Sequence, residues 1–225
     1  MALVKALPPC FYIIDREPCP VMMRVLLRLP AGSGVLLRAY QAPDRARLAH
    51  RLAAITKARS LVLLVAGDAV LARACGAQGA HWPQWLLERR GGMLEKRGGI
   101  AGKTRVSAGL GKRAGGRAGW IMTAAAHDHR ALAQAWRLGC DAVLCSPVFA
   151  TSSHPGAKIL GPHLLARMIS RSRLPVYALG GINSQSIRRL PPGVSGIAAI
   201  SGFHDDRFCH LTARRPQSRG RQKSN

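Results

Sequence analysis

Short apolar runs recur along the chain at residues 11–15, 34–38, 61–66, 79–82, 120–125, 141–148, 175–181 and 196–202. Most are rich in Val, Ile or Leu and lack strict polar alternation, the pattern of strands buried on both faces of a parallel sheet. Amphipathic segments lie between them. Residues 44–58 place Ala46, Leu48, Ala49, Leu52, Ala53 and Ile55 on one side, with Arg45, Arg47, Arg51 and Lys57 elsewhere. Residues 128–138 begin on Asp128 and stop before Gly139, a helix C-cap signal. Pro162 opens a helix over 162–170, and Asn183 is placed to cap a short one over 184–190. Eight strands alternating with helices predict a single-domain α/β protein, a (β/α)8 TIM barrel, rather than an open sheet.

Two stretches depart from this pattern. Residues 88–119 hold three Gly-Gly pairs, nine Lys or Arg and two acids, and read as a basic insertion after the fourth strand. Residues 211–225 carry Arg214, Arg215, Arg219, Arg221 and Lys223 without an acid, and read as a disordered tail behind a barrel over residues 1–210. Together they hold fourteen of the 34 Lys and Arg; the others spread over helix surfaces and leave a formal charge of +24. That distribution favours solvated charge over a nucleic-acid or polyanion face, because basic composition attracts anions without specifying one.

The six cysteines form no CxxC pair and no zinc-ribbon spacing. Residues 1–5 lack the apolar core of a secretory signal, and no stretch reaches the ~18 apolar residues of a membrane span. A reduced, soluble, cytoplasmic protein is expected, without a membrane partner. Its oligomeric state is not legible.

Candidate chemistry gathers near the end of the chain. Tyr177-Ala178-Leu179-Gly180-Gly181-Ile182-Asn183 precedes Gly196-Ile197-Ala198-Ala199-Ile200-Ser201-Gly202. In a (β/α)8 reading these are the C-terminal ends of strands seven and eight, where barrels frequently hold phosphate on backbone N–H groups. Glycine lets a phosphate approach the main chain, and the Ser201 hydroxyl adds a donor. Gly180, Gly181, Ile200 and Ser201 are therefore the expected phosphate cradle; the competing reading is a tight turn. A small-residue loop after the sixth strand runs from Ser146-Pro147-Val148-Phe149 through His154 to Lys158. Loops at this end of a barrel carry function.

Ser146-Pro147-Val148-Phe149-Ala150-Thr151-Ser152-Ser153-His154-Pro155-Gly156 resembles the Gly-Pro-Val-Phe-x-Thr-x-Thr-Lys-x-Gly loop of thiamine-phosphate synthases and their thiazole-tautomerase relatives. Residues 175–182 and 197–202 resemble that family's Pro-Val-x-Ala-Ile-Gly-Gly-Ile and Val-Ala-Val-Ile-Ser segments. Residues 11–16, Gly76-Ala77-Gln78-Gly79-Ala80-His81-Trp82 and Ala124-Ala125-Ala126-His127 also match in order. The resemblance implies a transferase of thiamine biosynthesis that joins a pyrimidine diphosphate to a thiazole phosphate. Mg2+ neutralises the leaving diphosphate in that chemistry. It places Arg38 and His154, or Lys158, near the polar end of the ligand.

The chain departs from the pattern where metal and diphosphate are handled. The Gln-x-Arg-x-Lys of the second strand is Leu36-Leu37-Arg38-Ala39-Tyr40, keeping only Arg38. The Asn-Asp pair after the third strand is Ala66-Gly67, with Asp68 a displaced stand-in for a metal ligand. The acid after the fourth strand falls near Trp85-Leu86, Ala125 replaces a serine, and His154 replaces the loop lysine. These departures point to weakened or lost synthase activity. In the tautomerase branch a histidine at the position of His127 shuttles a proton without metal, which an imidazole does near neutral pH. A phosphate-ligand binder without catalysis is the third reading. His81, His129, His163 and His204 read as structural or exposed.

Overall fold

The computed structural model describes residues 6–95, 119–151, 156–205 and 207–208. Eight parallel strands close into a barrel in chain order: β1 (Cys10–Ile14), β2 (Gly34–Leu37), β3 (Val62–Ala66), β4 (Gly79–Trp82), β5 (Ile121–Ala126), β6 (Ala142–Cys145), β7 (Val176–Leu179) and β8 (Gly196–Ala199). The seam is made by β1 and β8, with Cys10 opposite Ile197 and Tyr12 opposite Ala199. Each expected strand forms where its apolar run lies.

Burial on both faces explains the runs. Phe11, Ile13, Leu36, Leu64, Leu144, Tyr177 and Ala198 fill the barrel interior. Their neighbours Tyr12, Ile14, Leu37, Val65, Val143 and Ile197 pack outward against the helices. Large and small residues interdigitate inside: the Phe11 and Tyr177 rings meet edge to face at 5.2 Å. A Cβ on Gly34 or Gly196 would fall within about 2.4 Å of those rings, so bulk on β1 and β7 demands glycine on β2 and β8.

The helices between strands are α1 (Pro20–Arg28), α2 (Arg45–Ala58), α3 (Ala69–Ala74), α4 (Gln84–Glu95), α5 (His129–Arg137) and α6 (Gly161–Arg171). Asp44, Asp68 and Asp128 cap α2, α3 and α5 by accepting N–H bonds from Arg47, Leu71 and Ala131 at 2.9, 2.8 and 2.7 Å. After β7 and β8 come short 3-10 turns, Ser186–Arg189 and Ser201–His204, and Arg207 and Phe208 are helical beyond the second. Asn183, read as the cap of a helix over 184–190, instead precedes the cap position Gln185 and holds the turn into the 3-10 segment, accepting from the Gln185 and Ser186 amides at 3.0 and 2.8 Å. Phe208 packs on Phe203 at 5.0 Å just beyond the second.

The basic stretch read as starting at Glu88 opens as helix, since α4 continues to Glu95. Residues 96–118 and the tail from 209 lie outside the described residues. No helix among the described residues is long and apolar enough to cross a membrane.

Candidate functional site

The mouth at the C-terminal strand ends is built differently around its rim. On the β6–β8 side, main chain meets main chain. Gly180 and Gly181 have φ of +92° and +64°, a region that glycine enters without strain. A Cβ on Gly180 would lie 2.7 Å from Pro147 Cα, and one on Gly181 2.4 Å from the Ala150 carbonyl oxygen. The loop after β6 is thus pressed onto the turn after β7. Val148 and Phe149 donate their N–H groups to the Leu179 and Gly180 carbonyls at 2.8 and 3.0 Å. Ser186 donates its hydroxyl to the Gly181 carbonyl at 2.7 Å, and its oxygen accepts the Asn183 N–H at 2.9 Å. Gly202 closes the far side, where a Cβ would sit 2.3 Å from the Ile182 carbonyl. The turns after β7 and β8 are neighbours. Ile200 packs toward the barrel interior and Ser201 is exposed at the head of its 3-10 turn.

His127 stands on the adjoining sector, at the end of β5. Gln84 accepts its backbone N–H at 3.0 Å. The ring Nδ1 meets the carbonyl oxygen of Ser146, with the Ser146 hydroxyl 3.4 Å away. A carbonyl only accepts, so Nδ1 is the donor in this contact, which leaves Nε2 as the ring's other nitrogen. Ser146 begins the cis peptide to Pro147, whose Cα crowds Gly180. His127, Ser146 and the Gly180–Gly181 turn therefore lie side by side across β5, β6 and β7.

Side chains dominate the β2–β4 side. Arg38 lies two residues beyond the inward-facing Leu36, and its backbone N–H bonds to the Ile14 carbonyl at 2.7 Å. Its charge reaches the fully buried His81, whose pKa is pushed down to about 3, first by burial and then by Arg38. His81 Nδ1 is 2.9 Å from Thr123 Oγ1. Arg45 reaches over the rim from α2, donating to the Ala66 carbonyl at 2.6 Å and lying 5.4 Å from the Tyr40 ring centre. Neither this His81–Thr123 pair nor Arg45 was singled out as part of a site by the sequence reading. The position of His81 opposite Thr123 follows only from strand register.

Asp68 is the cap of α3, its Oδ1 accepting the Leu71 N–H, and its displacement by one residue past Gly67 is what carries it onto the helix start. The other strand-end carboxylates are also engaged: Asp15 pairs with Arg16 at 3.2 Å, and Asp128 caps α5. Among the described residues no three His, Cys, Asp or Glu side chains cluster. The residues present do not fit a Mg2+ site built by protein carboxylates. Lys158 is exposed on the β6–α6 loop, with no hydrogen bond or ion pair to another described residue. The placement of His154 lies outside the described residues.

A family profile described as thiamine monophosphate synthase matches residues 112–203. A putative thiamine-phosphate synthase 2 of Aquifex aeolicus is 31% identical over 203 residues, covering 88% of this chain and 98% of that protein. A thiamine-phosphate synthase of Prochlorococcus marinus is 25% identical over 85% of the chain, which spans about half (51%) of that longer protein. Among solved structures, a thiamine phosphate pyrophosphorylase from Pyrococcus furiosus superposes with a TM-score of 0.65 at 20% identity, covering 92% of both chains. A KDPG aldolase from Legionella pneumophila reaches 0.54 at 15% identity. At these identities the structural likenesses speak to the barrel alone.

Proposed function

We propose, since the chain belongs to the thiamine-phosphate synthase family, that it binds a thiazole phosphate or thiamine phosphate at the mouth of its barrel, with synthase activity weak or lost. The phosphate sits on the main-chain amides of the paired turns after β7 and β8, with Gly180, Gly181, Ile200 and Ser201 as the cradle. The heterocycle extends across the mouth toward Arg38, with His154 or Lys158 on the β6–α6 loop closing the polar end. The observation that carries this reading is the contrast within the rim. The loop after β6 is bonded to the turn after β7 by backbone and Gly202 of the turn after β8 lies close to the Ile182 carbonyl, while the strand-end carboxylates serve as helix caps and pair with Arg16.

A second reading rests on His127. With Nδ1–H held by the Ser146 carbonyl, Nε2 is free to take a proton from a bound thiazole phosphate carboxylate and return it elsewhere on the ring. That is tautomerase chemistry within one ligand, and it needs no metal.

Calorimetric titration with thiazole phosphate, with and without Mg2+, tests the binding reading, and affinity indifferent to the metal is expected. Mixing both precursors with Mg2+ at high enzyme concentration tests the synthase reading, and little or no thiamine phosphate is expected. Brisk metal-dependent product formation overturns the proposal. Under the second reading, His127→Asn abolishes isomerisation while phosphate affinity stays within about twofold.

A further inference from the structure

Away from the mouth, a cavity of about 310 Å3 runs along the outer face of α5 to the end of α6. Its wall carries His129, Trp136 and Arg137 from α5, with Arg171, Ser172 and Arg173 from the end of α6 and the residues after it. We propose that this groove binds a nucleotide unit, a phosphate ester joined to a flat aromatic ring.

Three guanidinium groups face one cavity whose lining contains no carboxylate. Arg137 and Arg171 fall in the last turns of α5 and α6, where a cation complements the helix dipole. That accounts for two of them and leaves the other features unexplained. Arg173 lies beyond α6 and stacks over Trp136, its guanidinium carbon 4.5 Å from the ring centre. Trp136 is nonetheless 47% exposed, which suits stacking by a second flat group. At the other end of the groove both His129 ring nitrogens are shut off from solvent without a hydrogen-bond partner. Those nitrogens lie out of reach of a ligand in the groove, so the half-buried His129 lends the wall only the rest of its ring.

A dianionic phosphate relieves the mutual repulsion of the arginines and takes the forked N–H groups pairwise. A flat base covers the tryptophan. The volume lies at the small end of the range for ligand pockets and suits one nucleotide rather than a longer cofactor. The excess of positive charge on the whole chain draws such ligands toward it, from free nucleotide or from a single strand.

Titration of the full-length protein with AMP tests the proposal, read by calorimetry and by quenching of tryptophan emission. AMP binds and quenches, and Trp136→Leu and the double variant R171Q/R173Q each weaken it roughly tenfold or more. These are surface positions, and melting temperature checks that each variant is folded. Thiazole phosphate affinity stays unchanged in both variants, which separates this groove from the barrel mouth. A short oligouridylate distinguishes the sources: tighter binding than AMP that also weakens in Trp136→Leu identifies a single strand, whereas weaker binding identifies the free nucleotide. No quenching by AMP, or AMP affinity untouched in both variants, overturns the proposal. So does oligouridylate binding that collapses with salt and ignores both variants while AMP fails to bind.

Discussion

The two sides of the barrel mouth are held by different kinds of contact. From β6 to β8 the rim is main chain against main chain: Gly180 on Pro147, Gly181 on Ala150, Gly202 on Ile182. From β2 to β4 it is side chain against strand end: Arg45 on Ala66, Arg38 above His81, Asp68 on the first amides of α3. A main-chain cradle survives any substitution that leaves its glycines in place. A side-chain site is lost when one carboxylate moves by one residue. On the function proposed above, this difference would let the rim hold a phosphate on its main-chain side while its side-chain sector binds no metal.

Gly181→Ala attacks the main-chain side most directly. The new Cβ would meet the Ala150 carbonyl at 2.4 Å and Phe149 Cβ at 2.8 Å, in a backbone at φ +64°. Backbone contacts do not yield as a flexible side chain does, so a loss on the order of 3 kcal/mol or more is expected. Gly76→Ala is the control. It has φ +76° and nothing within 4 Å of its Cβ, so only the conformational cost of about 1 kcal/mol remains. Chemical denaturation measures both, and equal losses would show that the loop after β6 is not clamped onto the turn.

The side-chain half is expected to be the acid-sensitive one. His81 is held neutral in the folded barrel, its pKa lowered from 6.5 to about 3 by burial and by Arg38. Below pH 6.5 the unfolded chain takes up a proton that the folded protein refuses. Stability therefore falls as pH drops from 6.5 toward 3, by about 2 kcal/mol between pH 6.5 and 5. His81→Gln can still hydrogen-bond Thr123 and does not titrate, so its stability should be flatter over that window. If both proteins lose stability in parallel, His81 is not the sensor.

How much of this was legible in the chain follows from the same division. Both-face burial leaves a continuous apolar run, so all eight strands could be read, and Asp44 and Asp128, which cap α2 and α5, stand at the starts of segments that read as helical. The helices α1, α3 and α4 were not expected from the pattern; α3 is a six-residue piece set against its neighbours by tertiary packing, and α4 runs into the basic stretch. Gly180 and Gly181 were legible as a pair, but not the reason for them, because the contacts come from Pro147 to Ala150 on another strand end. His81 looked merely structural, since its partner Thr123 is 42 residues away and is found only once the register of β4 on β5 is known. Asp68 looked like a displaced metal ligand because spacing alone does not say whether a carboxylate after a strand faces the mouth or the next helix.

Asp68 provides the smallest and most discriminating test of the comparison. Its Oδ1 accepts the Leu71 N–H at 2.8 Å. As a helix cap it contributes about 1 kcal/mol, lost in Asp68→Ala and largely kept in Asp68→Asn, because an amide oxygen caps nearly as well as a carboxylate. A metal ligand ranks the variants differently: asparagine removes the charge that holds Mg2+, so both substitutions would be damaging. Thermal melts of the three proteins with thiazole phosphate, with and without Mg2+, separate the two cases. The cap reading requires Asp68→Asn to melt within a degree or two of the unmodified protein, with the same indifference to metal. Magnesium-dependent stabilisation present in the unmodified protein and absent from Asp68→Asn would restore a metal centre to the β2–β4 side and erase the distinction between the two halves of the rim.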